Sequence, residues 1–197
     1  MVQTDVFVSL PWHAPKTPVT IYPVFLPFRG CQRRCIYCAQ ESVTGKVCGE
    51  ELTGLLERVE RDLYVRLQSG KPPVELAFYG GTFTGISEAD FLQCLDVTKR
   101  VRAKGAITGA RCSTRPDILA EERLARLWEA GFCTIELGVQ TFVNEALSYA
   151  GRGYTEEDIV SGAALVRSAG FSLGVQLLPG LPKTKPSDFL SDVAKSL

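Results

Sequence analysis

The sequence has 197 residues, which is enough for one domain with a substantial apolar core. Its 22 basic and 22 acidic residues cancel, so nucleic acid could be bound only through a local basic patch or a further domain. No apolar run approaches the length of a membrane-spanning helix, and residues 1–18 lack the charged and apolar regions of a signal peptide. We therefore expect a cytoplasmic protein with no membrane partner.

The counts of cysteine and histidine narrow the chemistry further. The seven cysteines are an odd number, and without a signal peptide they indicate metal ligands or buried thiols rather than a disulfide framework. Cys94, Cys112 and Cys133 fall in a predicted helix and two predicted strands, where we expect them to be buried as small hydrophobic residues. His13 is the one histidine and belongs to a proline-rich segment, so a histidine-based triad or a histidine-rich metal site is poorly supported.

In chain order, residues 1–20 are predicted to be an extended leader, and a first strand follows at about 21–26. A helix, a glycine and a short apolar strand then recur four times. The predicted helices are 50–68, 87–104, 117–130 and 155–169. Each is followed by a glycine suited to a left-handed helix end, at Gly70, Gly105, Gly131 and Gly170.

The predicted helix starts carry their own signals. Ser87 with Asp90 and Thr155 with Asp158 resemble capping boxes, and Pro116 suits the first turn of the third helix. Strands that alternate with helices predict an α/β fold with parallel strands and right-handed crossovers. The strands are VELAFYG, AITGARC, FCTIELGV and FSLGVQLL after the opening strand.

Two architectures fit this pattern, a doubly wound sheet and a full or partial TIM-type (β/α) barrel. Both place ligands on the loops that follow the strands. The chain ends within what is predicted to be the fifth helix, so we expect one core domain at 21–197 with the C-terminal part of a barrel missing. The unusual residues follow the strands, in the cysteine loop, Gly80-Gly81-Thr82, Ser113-Thr114-Arg115, Gly138-Val139-Gln140 and Leu178–Pro182.

The cysteine loop RGCQRRCIYCAQ places Cys31, Cys35 and Cys38 in a C-x3-C-x2-C spacing. Three thiolates on one loop suit a [4Fe–4S] cluster that keeps one iron open for a substrate or cofactor. A structural zinc site would need a fourth ligand, and Cys48 is the nearest further thiol. The spacing favours the cluster and leaves open a zinc loop that uses Cys48, as well as Cys48 as an extra ligand.

Several motifs in order resemble the radical S-adenosylmethionine (radical SAM) superfamily. They are the cysteine loop with the aromatic Tyr37, YGGTF, STRPD, ELGVQT, a GRG turn and LLPGLP. Within the superfamily the chain is most similar to the radical domain of the Elongator catalytic-subunit-like group, with oxygen-independent coproporphyrinogen oxidase as a cousin. The resemblance runs from residue 21 to the end and implies a partial (β/α) barrel truncated after about five β/α units.

The resemblance also implies a set of cofactor ligands. Cys31, Cys35 and Cys38 would bind three irons, and the methionine amine and carboxylate of S-adenosylmethionine would chelate the fourth. Tyr37 would lie against the adenine. The loop that would receive the methionine amino group consists of Gly80, Gly81 and Thr82.

Four further positions match cofactor contacts of the family. Ser113 stands where the cousin carries a glutamate, so its contact would be weaker or water-mediated. Gln140 and Arg152 match ribose-contacting and carboxylate-contacting positions. Gln176 stands where the cousin has an acidic ribose ligand, and as an amide it could still hydrogen-bond a hydroxyl.

Two charged features are open to more than one interpretation. Glu136 shares strand parity with Gly138 and Gln140, and is predicted to be a buried carboxylate that pairs with Arg115 or takes part in the chemistry. Three arginines crowd the cysteine loop, either as a patch for an anionic substrate or redox partner or as a solvated face. They are Arg29, Arg33 and Arg34.

The function implied by the resemblance is a radical enzyme. A reduced [4Fe–4S] cluster would cleave S-adenosylmethionine to a 5′-deoxyadenosyl radical, which takes a hydrogen from an unknown substrate, tRNA-like or tetrapyrrole-like. A reductant such as flavodoxin or ferredoxin would supply the electron. The alternative is a non-catalytic iron–sulfur or zinc-binding module.

Overall fold

The structure of the protein is a computed structural model, and it describes residues 19–40, 42 and 51–197. Nearly all of the predicted leader lies outside these residues, and so do His13 and Cys48. None of the helices in this part of the chain is both long and apolar enough to cross a membrane.

Five parallel strands form one sheet in the order β1-β2-β3-β4-β5. They are β1 Ile21–Phe25, β2 Val74–Tyr79, β3 Ile107–Thr114, β4 Phe132–Gln140 and β5 Ser172–Leu177. A doubly wound sheet reverses its strand order at a switch point, whereas strictly sequential neighbours are the order of a (β/α) barrel. The α/β prediction is confirmed, and of its two architectures the strand order favours the partial barrel.

Helices connect the strands. They are α1 Leu52–Gln68, α2 Glu88–Ala103, α3 Glu121–Ala130, α4 Asn144–Tyr149, α5 Glu156–Ser168 and α6 Pro186–Lys195, with a short 3₁₀ turn at Phe83–Gly85. The four glycines predicted to end helices all have positive φ, from 70° to 94°. The Ser87 hydroxyl accepts from the Asp90 N–H, and Thr155 forms a full capping box with Asp158.

One predicted helix boundary needs correction, and one helix was not predicted. Helix α3 begins at Glu121 rather than near residue 117, so Pro116 is not in its first turn. Asp117 instead faces Arg115, which donates two hydrogen bonds of 2.9 and 2.7 Å to the carboxylate. The short helix α4 was not predicted, because six residues are too few to show a helical periodicity.

The core lies between the sheet and the helices. Alternate residues of the strands point to this side, and they are apolar and fully buried, as Leu76, Phe78, Cys112 and Ile135 show. The Phe78 ring stacks on Phe83 and Phe132 with centroid separations of 4.9 and 5.9 Å. The other set of alternate residues faces the concave side and includes the polar residues Glu75, Arg111, Ser113, Glu136 and Gln176.

The three cysteines predicted to be buried divide into two kinds. Cys94 and Cys112 are fully buried in the core, as predicted, and burial raises the pKa of both thiols. Cys133 is exposed, so its prediction was wrong. The pairing of β3 with β4 skips this residue, and the irregular register turns its side chain away from the core.

Candidate functional site

A cavity of about 310 Å³ opens where the strands end. Every residue that the motifs predict to bind metal or cofactor lines this one cavity, although the residues come from six separate segments of the chain. They are Cys31, Cys35, Tyr37, Cys38, Gly80, Gly81, Thr82, Ser113, Gln140, Arg152 and Gln176. The C-terminal ends of parallel strands meet at one edge, which is why these segments converge.

The cysteine loop is docked on the glycine loop by backbone contacts. The Leu26 N–H donates to the Tyr79 carbonyl at 2.7 Å, and the Thr82 N–H donates to the Arg29 carbonyl at 2.8 Å. Gly81 has φ +87°, and a Cβ there would lie 2.3 Å from the Arg29 carbonyl oxygen. The close backbone approach that requires glycine at this position is therefore an approach to the cysteine loop itself.

The three thiols have different surroundings. The Cys31 sulfur lies 3.4 Å from the Thr82 hydroxyl, and the Cys35 sulfur accepts a 3.2 Å hydrogen bond from Arg152 Nη1. Burial raises the pKa of the Cys38 thiol, and metal ligation is the usual way to deprotonate such a thiol.

These donors suit a cluster. The described residues contain no three His, Cys, Asp or Glu side chains placed to hold one metal ion together. Thiolates of a cluster bind different irons, so they need not converge on one point. Three soft sulfur donors that line one cavity fit a [4Fe–4S] cluster, which these three cysteines would hold.

Arg152 is fixed between the cysteine loop and strand β4. The residue is 8% exposed, and its guanidinium donates to the Tyr154 hydroxyl at 2.7 Å, to the Gly138 carbonyl at 2.6 Å and to Cys35. Tyr154 also donates to the Gly138 carbonyl. No motif in the sequence marks Tyr154, yet it is one of the three groups that hold the positive charge of Arg152 in place.

Glu136 is not among the lining residues but bonds to two of them. Its carboxylate accepts from the Tyr79 hydroxyl at 3.1 Å and from Gln176 Nε2 at 2.8 Å. A third hydrogen bond of 3.1 Å comes from Arg111 Nη1. Burial, together with the neighbouring Glu136 carboxylate, raises the pKa of Tyr79 to about 12.

The predicted partner of Glu136 was wrong. Arg115 lies beyond the end of β3 and is held by Asp117 and by the Arg152 carbonyl. Arg111 is the partner, because it shares the concave face with Glu136 on the adjacent strand. Arg111 also forms an ion pair with Glu75, and its own Nε is buried without a partner among the described residues.

Gln140 reaches the cavity through a special backbone conformation. The register between β4 and β5 shifts between Gly138 and Gln140, and Gln140 has φ +70°. Its side chain folds towards Gly138, where a Cβ would lie 3.1 Å from the Gln140 Nε2 atom. The shared strand parity from which the direction of Glu136 was inferred therefore does not by itself place the Gln140 amide.

The three arginines of the cysteine loop do not form one patch. Arg29 donates to Asp90 at 3.0 Å. The Arg34 guanidinium carbon lies 3.2 Å from the centroid of the Phe28 ring. Only Arg33 lines the cavity.

Known proteins resemble this chain over most of its length. A tRNA uridine(34) acetyltransferase of Methanocaldococcus jannaschii is 32% identical over 126 residues, which is 55% of this chain and 23% of that protein. The heme chaperone HemW of Bacillus subtilis is 28% identical over 163 residues, which is 81% of this chain and 42% of that protein.

The fold has solved counterparts. Coproporphyrinogen III oxidase (HemN) of Escherichia coli, described as a radical SAM enzyme, superposes with a TM-score of 0.66 at 23% identity. The alignment covers 91% of this chain and 41% of that one. The chain thus spans less than half the length of these three relatives.

The resemblance that the motifs predict is confirmed. Residues 25–194 match the radical SAM superfamily, and this match runs from the end of β1 into α6. The protein therefore belongs to the radical SAM superfamily, whose enzymes use a [4Fe–4S] cluster and S-adenosylmethionine.

Proposed function

We propose that this chain binds a [4Fe–4S] cluster through Cys31, Cys35 and Cys38 and uses it to cleave S-adenosylmethionine reductively. The observation that carries the proposal is the single cavity in which these three thiols meet all the predicted cofactor residues. When bound, the cluster supplies the electron that breaks the sulfonium bond and so yields a 5′-deoxyadenosyl radical for hydrogen abstraction.

The protein's own residues bind and orient the cofactor. The Arg152 guanidinium is charged, buried and already fixed by Tyr154 and Gly138, so it can take a carboxylate without reordering. The Tyr37 ring lines the cavity and is 36% exposed, which leaves a face for a planar base. Gly80, Gly81 and Thr82 provide backbone and hydroxyl groups for the amino group.

Two amides and a hydroxyl complete the polar wall of the cavity. Gln140 and Gln176 would contact the ribose, and Ser113 supports Gln176 by accepting its Nε2 hydrogen bond at 3.0 Å. These groups are neutral, so they orient hydroxyls without adding charge beside the sulfonium. A one-electron reductant such as flavodoxin or ferredoxin would reduce the cluster.

An anionic substrate is our proposal for the substrate class. Two relatives are named for tRNA and for coproporphyrinogen III. Both molecules are anionic, because tRNA carries phosphate groups and coproporphyrinogen III carries carboxylate groups. Arg33 lines the cavity with an exposed side chain and is placed to meet such a group. We also propose that 21–197 acts as one core domain.

The experiment is anaerobic reconstitution with iron and sulfide, reduction by dithionite and addition of S-adenosylmethionine. We expect the charge-transfer absorption of a [4Fe–4S] cluster and formation of 5′-deoxyadenosine. Cys35→Ala should abolish both, because one iron loses its protein ligand. Cys133→Ala is the matched control, since this exposed cysteine lies outside the cavity, and it should behave as the wild type.

Two outcomes would contradict the proposal. A reconstituted cluster that never yields 5′-deoxyadenosine would support a non-catalytic iron–sulfur module. One zinc ion held by four thiols, with no bound cluster, would support the zinc-binding alternative.

A further inference from the structure

The Gln176 amide has both of its N–H groups occupied. Its Nε2 donates to Ser113 Oγ at 3.0 Å and to Glu136 Oε2 at 2.8 Å. A primary amide has only two such hydrogens. The amide lines the cavity, so the group left for a ligand is the carbonyl oxygen Oε1.

Glu136 determines this orientation of the amide. An ionised carboxylate can only accept hydrogen bonds, so the amide must turn its nitrogen, not its oxygen, towards Glu136. Ser113 could bond either end of the amide, because a hydroxyl both donates and accepts. Of the two contacts of Nε2, only the one with Glu136 therefore distinguishes the two ends.

Glu136 itself is held by two other groups. Arg111 Nη1, which always donates, bonds to Glu136 Oε1 at 3.1 Å. The Tyr79 hydroxyl donates to the same oxygen at 3.1 Å, so the Tyr79 proton is also turned away from the cavity. Tyr79 also lines the cavity and, like Gln176, offers an oxygen acceptor.

We propose that Glu136 is a positioning residue that fixes the Gln176 amide with its carbonyl oxygen towards the cavity, so that this wall binds the hydroxyl donors of a ligand. The proposal rests on the proposed function for the identity of that ligand, the ribose of S-adenosylmethionine. It also gives a reason why an amide can stand where a cousin protein carries an acid. With both N–H groups engaged, the amide presents an acceptor and no donor.

Glu136→Gln is the decisive variant because it keeps the volume and removes the charge. Arg111 still donates, so the new amide must turn its oxygen towards Arg111 and its nitrogen towards Gln176. The Gln176 amide then has to flip and present N–H groups to the cavity, so a ligand hydroxyl that had donated to Oε1 must accept instead and reverse its other hydrogen bonds. We expect the affinity for S-adenosylhomocysteine, which cannot be reductively cleaved in the same way, to fall about 10-fold.

The test measures the dissociation constant for S-adenosylhomocysteine by calorimetry on the cluster-reconstituted protein. Four proteins form a cycle, the wild type, Glu136→Gln, Gln176→Met and the double variant. Because Glu136 acts through Gln176, the double variant should bind no more weakly than Gln176→Met alone. Glu60→Gln, which alters a carboxylate–arginine pair on the helices, is the matched control and should bind as the wild type.

Glu136→Asp is measured in the same way, since it keeps the charge but withdraws the carboxylate from Nε2. If Glu136→Gln does not fold, Glu136→Asp takes its place in the cycle, with an expected loss of about 3-fold. The inference is overturned if the folded Glu136 variant binds as the wild type, or if its loss is equally large in the Gln176→Met background. Failure of the wild type to bind S-adenosylhomocysteine would overturn the proposed function as well.

Discussion

The two faces of the same sheet are built on opposite principles. Towards the helices, Leu76, Phe78 and Ile135 are apolar and have almost no exposed surface. Several polar residues of the sheet point towards the concave side, and three of them form a ladder of charges, Glu75, Arg111 and Glu136. Neighbouring residues in the chain therefore belong to different environments.

The difference between the two faces indicates which face stabilises the fold and which face forms the site. Apolar burial contributes about 25 cal/mol per Å², and it is concentrated on the helix-facing side. The polar groups of the concave side gain little net free energy from pairing, because their hydration is lost. They hold one another in fixed positions beneath the cavity, and this is the requirement of a binding site.

The largest expected effect tests the helix-facing side. Phe78→Ala should lower the free energy of unfolding by about 3–5 kcal/mol, because the cavity it leaves in the aromatic cluster cannot close. Tyr79→Phe changes the next residue on the concave side and should cost only about 1 kcal/mol. Urea unfolding followed by circular dichroism measures both values. Equal losses would contradict the division between the faces.

A smaller effect tests the charge ladder. Arg111→Leu should destabilise the fold by about 2–3 kcal/mol, because Glu75 and Glu136 lose their shared cation in a half-buried site. Glu75 is only 5% exposed, so its charge is the costlier one to leave unpaired. Adding Glu75→Leu should restore most of the loss in the same unfolding assay. If the double variant were no more stable than Arg111→Leu alone, the ladder would be a net source of stability.

The smallest expected loss of stability comes from substitutions of two adjacent residues on β3, one on each face of the sheet. Cys112→Ser places a hydroxyl in a fully buried apolar position and should cost about 1–3 kcal/mol. Ser113→Ala on the concave side should change stability by less than about 1 kcal/mol, because only one hydrogen bond to Gln176 is lost. Thermal unfolding of both variants measures the contrast. A larger loss for Ser113→Ala would show that the concave side also supports the fold.

The sequence predicted the parts of the site that depend on local order along the chain. The cysteines follow β1, Gly81 follows β2 and Gln176 lies near the C-terminal end of β5. Parallel strands bring such positions to one edge without any further information. The pairing of Arg111 with Glu136 was missed because it depends on the register of two strands 25 residues apart. Cys133 was placed wrongly for a related reason, since a register shift cannot be read from strand alternation.

The contact between Gly81 and the backbone of Arg29 has a consequence for protein engineering. A side chain at Gly81 would displace the segment that carries the cysteines, so the two loops can change only together. Transplanting the C-x3-C-x2-C segment into another barrel would therefore transfer its thiols without the glycine loop that holds the segment in its conformation. The unit that can be moved or redesigned is the pair of loops on β1 and β2 with the strands that align them.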